Sequence, residues 1–276
     1  MGDARPYRDL LYTDFDGAAL ASPHELIGEG LEDDRHLLRV PGLLAVVDDE
    51  AAEPLDRLFA CLALTGWGEA GGYRAVAAAA RGAGPPPWHG LSRDRFRSAD
   101  DTFGLLAAQV GLSDAMAERK GTESARLEAL RALLAIADRA GFGEQLGAAL
   151  FTAPAAAVAA DIVAAARRGL ARLDRKPWPP FDLPAQIVDI LEPLVEVDEP
   201  TAIALAEELV RRDANPHTLS FVAFLVATGR TRAAAALGER IVAVGGPDVR
   251  ERLAAARARR GGGPSWAGPG GAAHLR

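Results

Sequence analysis

The residues best suited to chemistry lie near the start of the chain, in "LLYTDFDGAALASP" at 10–23. Asp14 and Asp16 are two residues apart and are followed by Gly17. Carboxylates so spaced at a strand end could share one phosphoryl group and a Mg²⁺ ion, the first attacking and the second moving a proton. "TGWGEAG" offers Gly66-x-Gly68-x-x-Gly71, the outline of a dinucleotide cradle when a strand precedes it and a helix follows. The remaining reactive types are a lone cysteine, Cys61, and five histidines: His24, His36, His89, His217 and His274.

Each candidate needs partners that the chain withholds. The Asp-x-Asp-Gly opening resembles that of haloacid-dehalogenase-type phosphatases, and "FLVATGR" at 224–230 resembles their second motif. That pattern continues with Thr, where this chain has Ala18. It also requires a later Lys and a pair of metal-binding acids. No Lys follows Lys176, and the only acids after Thr228 are Glu239, Asp248 and Glu251, all in helical sequence. Alternating strands and helices are missing as well. The phosphatase reading is disfavoured, and 12–23 is expected to form a polar turn from which Ser22 opens a helix. As a calcium loop the stretch would begin at Tyr12 and end at Pro23, neither of which supplies a carboxylate. The run before Gly66 repeats every 3.6 residues, unlike a strand, and "GAGPPPWHG" occupies the place of the acid-bearing second strand. The glycines therefore read as a helix stop and a turn. No phosphate-binding loop or nucleophile elbow occurs. The histidines show no paired metal spacing, and Cys61 sits in an apolar helix as a small core residue. No catalytic residue, metal or cofactor is assigned.

Composition narrows the class. The chain has 276 residues, 49% of them hydrophobic, enough to bury a sizeable core. Its net charge of −7 provides no overall basic field, so nucleic acid is not the expected partner. Of 31 basic residues only Lys120 and Lys176 are lysines, a skew that fits GC-rich coding, and arginine patches are discounted accordingly. The Arg-rich "DVRERLAAARARR" at 248–260 reads as a solvated helix end complementing the helix dipole. One cysteine excludes an internal disulfide. "MGDARPYRDL" carries charge where a signal peptide is apolar, and no uncharged run reaches the roughly 20 residues of a spanning helix. A cytoplasmic protein without a membrane partner is expected.

The elements are helical. "TESARLEALRALLAIADRAG", "DEAAEPLDRLFACLALTG" and "AQIVDILEPLVEV" carry apolar faces of period 3.6, with Pro193 expected to kink the last. Ser22-Pro23, Asn215-Pro216 and Gly246-Pro247 mark helix starts. "SFVAFLVAT" reads as a buried helix. The proline-dense loops 82–96 and 174–184 interrupt the pattern. The expectation is an all-α fold of stacked helical hairpins, irregular or solenoid-like. It comprises an N-terminal helical region at 1–175, C-terminal hairpins at 184–260 and a disordered tail at 261–276.

Ala204-Leu205-x-Glu207-x-Leu209-Val210 recurs as Ala236-Leu237-x-Glu239-x-Ile241-Val242. With Pro216 and Pro247 following, residues 200–260 resemble tetratricopeptide or HEAT-type α-solenoid repeats, although Glu239 stands where an aromatic is expected. That resemblance implies a binding scaffold. Trp88, Trp178 and Phe181, aromatics held in proline-rich loops, are the candidate binding residues, with sealing of the core as their other possible role. The expected function is binding of another protein, as an adaptor, regulator or immunity-type protein, without catalysis. The alternative is an enzyme or small-ligand binder whose site is assembled from distant residues. Clustered acids in a deep pocket would favour the enzyme; a shallow groove lined by Trp and Arg would favour the binding module.

Overall fold

The computed structural model describes residues 7–82, 84, 88–92, 100–153 and 155–261. It is all-α and 73% helical. Its helices are α1 (Arg8–Leu11), α2 (Pro23–Glu29), a 3-10 helix (Asp34–Leu38), α3 (Val40–Asp48), α4 (Pro54–Gly66), α5 (Ala70–Arg81) and α6 (Thr102–Leu112). They continue with α7 (Asp114–Lys120), α8 (Glu123–Leu134), α9 (Gln145–Phe151), α10 (Ala155–Leu173), α11 (Leu183–Arg212), α12 (Pro216–Thr228) and α13 (Arg232–Gly261). Extended pairing includes an isolated antiparallel bridge between Thr13 and Ala19.

Helix starts follow the local code. Ser22 accepts a bond from the His24 amide, with Pro23 in the first turn. Asn215 accepts from the Thr218 amide ahead of α12. Gly246 breaks α13 at φ 71°, a left-handed conformation that favours glycine, and Pro247 restarts the helix. The break in α11 does not fall at Pro193, through which the backbone stays helical. It falls at Asp198 (φ −148°, ψ 65°), whose carboxylate caps the Thr201 amide at 3.2 Å. A capping Asp followed by Pro200 defines a new helix start more strongly than one buried proline bends an old one.

The packing is irregular in the first half and sequential in the second. α3, α4 and α5 pack as successive neighbours; then α5 turns onto α8, and α6 onto α9. From α10 onward each helix packs on the next, α10 on α11, α11 on α12 and α12 on α13, with α9 also against α11. One continuous apolar core runs from Leu11 to Ala256. Among the described residues no helix is long and apolar enough to cross a membrane. The tail expected to be disordered lies, from residue 262, outside the described residues.

Candidate functional site

The Asp14–Gly17 stretch folds as a braced turn. The Asp14 carboxylate accepts bonds from the Asp16 amide (2.9 Å) and the Ala18 amide (2.7 Å), which uses it to close the loop. The Arg39 guanidinium donates to the carbonyls of Leu10 (3.1 Å), Thr13 (2.7 Å) and Asp14. It also lies 4.8 Å from the Phe15 ring. Asp16 pairs with Arg35 at 2.7 Å. The two carboxylates thus have separate occupations, and the helical setting lacks the strand on which a phosphoryl site would be built.

This turn forms one wall of a recess of about 440 Å³. Asp14, Asp16, Glu29, Glu32, Asp33 and Asp34 line it, with Phe15 and a single cation, Arg35. Arg35 bonds to both Asp16 and Asp33, which holds the Asp33 carboxyl below its usual range. Asp34 lies 3.9 Å from Arg119. Among the described residues Glu29 and Glu32 have no ion pair. Asp16, Glu29, Glu32 and Asp34 are open to solvent, the side chains of Asp16 and Asp34 being 78% and 84% exposed, while Asp14 and Asp33 are half-buried. Among the described residues no three His, Cys, Asp or Glu side chains converge as metal ligands.

The segment behind the recess is fixed by Trp67, which is fully buried and donates to the Ile27 carbonyl at 3.0 Å. Gly30 lies flat on this indole; a Cβ there would stand 2.3 Å from Nε1. The chain then enters the 3-10 helix, capped by the Asp33 side chain on the Arg35 amide. Residues three apart eclipse in such a helix, so Asp34 aligns with Leu37 and Arg35 with Leu38, while His36 turns inward. Burial follows this geometry. His36 is fully buried, whereas Leu37 and Leu38 are 50% and 83% exposed, and Leu31 is 41% exposed. Three leucines are thus exposed to solvent within eight residues of chain that also carry Glu32, Asp33 and Asp34.

His36 is the anchor. Its Nδ1 lies 2.8 Å from the Asp33 carbonyl and its Nε2 lies 2.8 Å from Lys120 Nζ. Lys120 also pairs with Glu69 at 2.5 Å. The His36 ring packs on Trp67 at 5.0 Å between centroids. Burial, with Lys120 adding to it, pushes the imidazole below its ordinary value of 6.5. Sequence spacing could not find this network, since His36 and Lys120 are 84 residues apart.

The loop aromatics have different fates. Trp88 is buried, 3% exposed, at the edge of a groove of about 690 Å³ between α3 and α5 that Arg57 and Arg74 also line. Its Nε1 has no partner among the described residues. Trp178 is 61% exposed and donates to the Leu173 carbonyl at 3.2 Å, with Lys176 over its ring. Phe181 is half-buried against Gly141. Among the described residues no ring contact joins the three.

The other motifs are structural. Gly68, at φ 73°, lies where a Cβ would stand 2.7 Å from the Met116 carbonyl carbon, so the glycines serve close packing. Cys61 is fully buried, its thiol pushed up to about 12 by burial. His89 pairs with Asp100 (3.0 Å) and His217 with Asp182 (2.8 Å); His274 lies outside the described residues.

No protein-family model, no curated protein and no solved structure matches this chain.

Proposed function

We propose that this protein binds another protein and does so through the face at 14–38, taking a basic segment that carries apolar side chains. One observation supports this most: six carboxylates around one arginine share a short stretch of chain with three exposed leucines. A surface that needed charge only for solubility would not also expose leucines. An apolar rim beside a field of one sign is the arrangement that steers and then holds an oppositely charged partner. The same field repels nucleic acid. Solvent-exposed acids that are already paired with Arg35 or with backbone amides are poorly suited to acid–base chemistry, so catalysis at this face is disfavoured. A cytoplasmic role as an adaptor, regulator or immunity-type protein is compatible with such a face.

The test is fluorescence anisotropy with labelled peptides that alternate arginine and leucine pairs, against acidic and Leu-free peptides of equal length. The Arg/Leu peptides should bind, weaken with salt, and lose at least tenfold in affinity, about 1.4 kcal/mol, on Glu29→Arg with Glu32→Arg or on Leu37→Ser with Leu38→Ser. Equal affinity for the Leu-free peptides, or binding untouched by these variants, would remove the site.

A further inference from the structure

One fully buried imidazole, that of His36, anchors the 3-10 helix of the acidic face from within, and both of its nitrogens are committed. A carbonyl only accepts, so the 2.8 Å contact with the Asp33 oxygen places the proton on Nδ1. Nε2 therefore carries a lone pair, which accepts from the Lys120 ammonium at 2.8 Å. A second proton on the ring would turn Nε2 into a donor facing another donor, and would set two positive charges in contact beneath a fully buried residue.

We propose that the face is gated by pH: protonation of His36 breaks its bond to Lys120 and releases the 3-10 helix Asp34–Leu38, so that the partner surface comes apart in mild acid. The proposal deepens the binding role argued above and rests on it. The charged groups that face the ring are few. Lys120 from α7 opposes protonation, while Glu69 from the α4–α5 turn and Asp34 on the same 3-10 helix favour it. The ring is inaccessible to water, and Glu69 already holds Lys120. Burial and Lys120 therefore prevail, as the lowered value of the imidazole also indicates. The closed form binds this proton less readily than the released form, in which His36 returns to about 6.5. Closure is then intact above that pH and is lost progressively as the pH falls below it. Release acts directly on the face, because the 3-10 helix carries Asp34, Arg35, Leu37 and Leu38. Lysine is the residue such a device needs. It offers a compact, point-like donor set that reaches an imidazole and a carboxylate together, in a chain that otherwise uses arginine almost everywhere.

The experiment is an NMR titration of the full chain from about pH 8 to about pH 5, following the imidazole of His36 and the methyl groups of Leu37 and Leu38, with Arg/Leu-peptide affinity measured in parallel. The leucine methyls should move toward random-coil positions with the same midpoint as the His36 ring, and peptide affinity should fall about tenfold or more over that step. Lys120→Met removes the opposing charge and lets protonated His36 pair with Glu69. Its ring midpoint should rise, and the leucine methyls should stay in place throughout. His36→Gln should abolish the step. Titration of His36 with unmoved leucine methyls overturns the proposal, as does a leucine step that persists in both variants. If the methyls are released on schedule but no Arg/Leu peptide binds at the upper pH, the gate stands and the binding role fails.

Discussion

Trp88 and Trp178 were expected to behave alike, and the structure separates them by a margin that melting can read. Trp88 is 3% exposed, Trp178 61%. Truncating a buried Trp to Ala costs about 3–5 kcal/mol through lost packing and the cavity left behind. The Trp88 indole N–H has no partner among the described residues, so removing it returns on the order of 1 kcal/mol. The net loss for Trp88→Ala is about 2–4 kcal/mol, which in a chain this long lowers Tm by about 4–16 °C. Trp88→Phe keeps most of the volume and deletes the orphan donor, so it should stay within about 1 kcal/mol of the parent. Trp178→Ala forfeits one bond to the Leu173 carbonyl and the contact with Lys176, together on the order of 1 kcal/mol at an exposed position. Thermal melts followed by far-UV circular dichroism compare the three. Equal melting of Trp88→Ala and parent would refute the sealing role and return Trp88 to the candidate binding surface. A loss in Trp88→Phe as large as in Trp88→Ala would show that the N–H is bonded after all.

Two more predictions concern groups away from the acidic face. Arg126 is 6% exposed and donates to the carbonyls of Val110, Gly111 and Thr152; the Ser113 hydroxyl also serves the first, whereas the single proton of the Thr152 hydroxyl has its shorter bond to Ala149, so Arg126→Met chiefly costs the Gly111 and Thr152 carbonyls their donor. Urea denaturation should register about 1–3 kcal/mol, and Arg126→Lys should recover only part of it. Burial pushes Glu192 up to about 7 and Asp189 well above its usual value, each raised further by Glu144. Carboxyls raised by folding stabilise most below their unfolded values and lose that contribution as pH climbs through the folded ones, so the contribution of this pair should decline from about pH 4.5 to about pH 7. Asp189→Asn, which keeps an acceptor for the Gly147 amide, should flatten part of that decline in denaturation series across pH.

What was legible in the sequence is what is encoded locally. Ser22-Pro23, Asn215-Pro216 and Gly246-Pro247 each place a cap or a left-handed glycine beside a proline, and the chain obeys all three. The Asp14 turn and the burial of Cys61 follow from neighbours a few residues away. The break in α11 was misplaced because Pro193 is the conspicuous residue, while the capping geometry of Asp198 shows only once the helix is built. The anchor of the acidic face was illegible for the same reason. His36 meets Lys120 across 84 residues, and no spacing rule reports such a contact. The leucine rim was hidden by a change of helix type. No local pattern singled out Leu37 and Leu38; wound as a 3-10 helix, the segment turns them to water and His36 inside.

The most suggestive motif in the chain misleads for a reason that bears on the binding role. Asp14 and Asp16 resemble a reaction centre because a close carboxylate pair is costly to assemble unless something compensates it. Here the compensation is structural, from backbone amides for Asp14 and from Arg35 for Asp16. Arg39 meanwhile spends its donors on three carbonyls. Of the acids lining the recess, Glu29 and Glu32 have neither an ion pair nor a side-chain hydrogen bond among the described residues, and they flank Leu31 in the chain. The braced turn thus acts as a rigid wall, and the free charge sits where the exposed leucines are. Under the proposed binding role, with Asp14, Asp16, Arg35 and Arg39 committed to holding the wall, two glutamates and three leucines are the groups left to meet a partner.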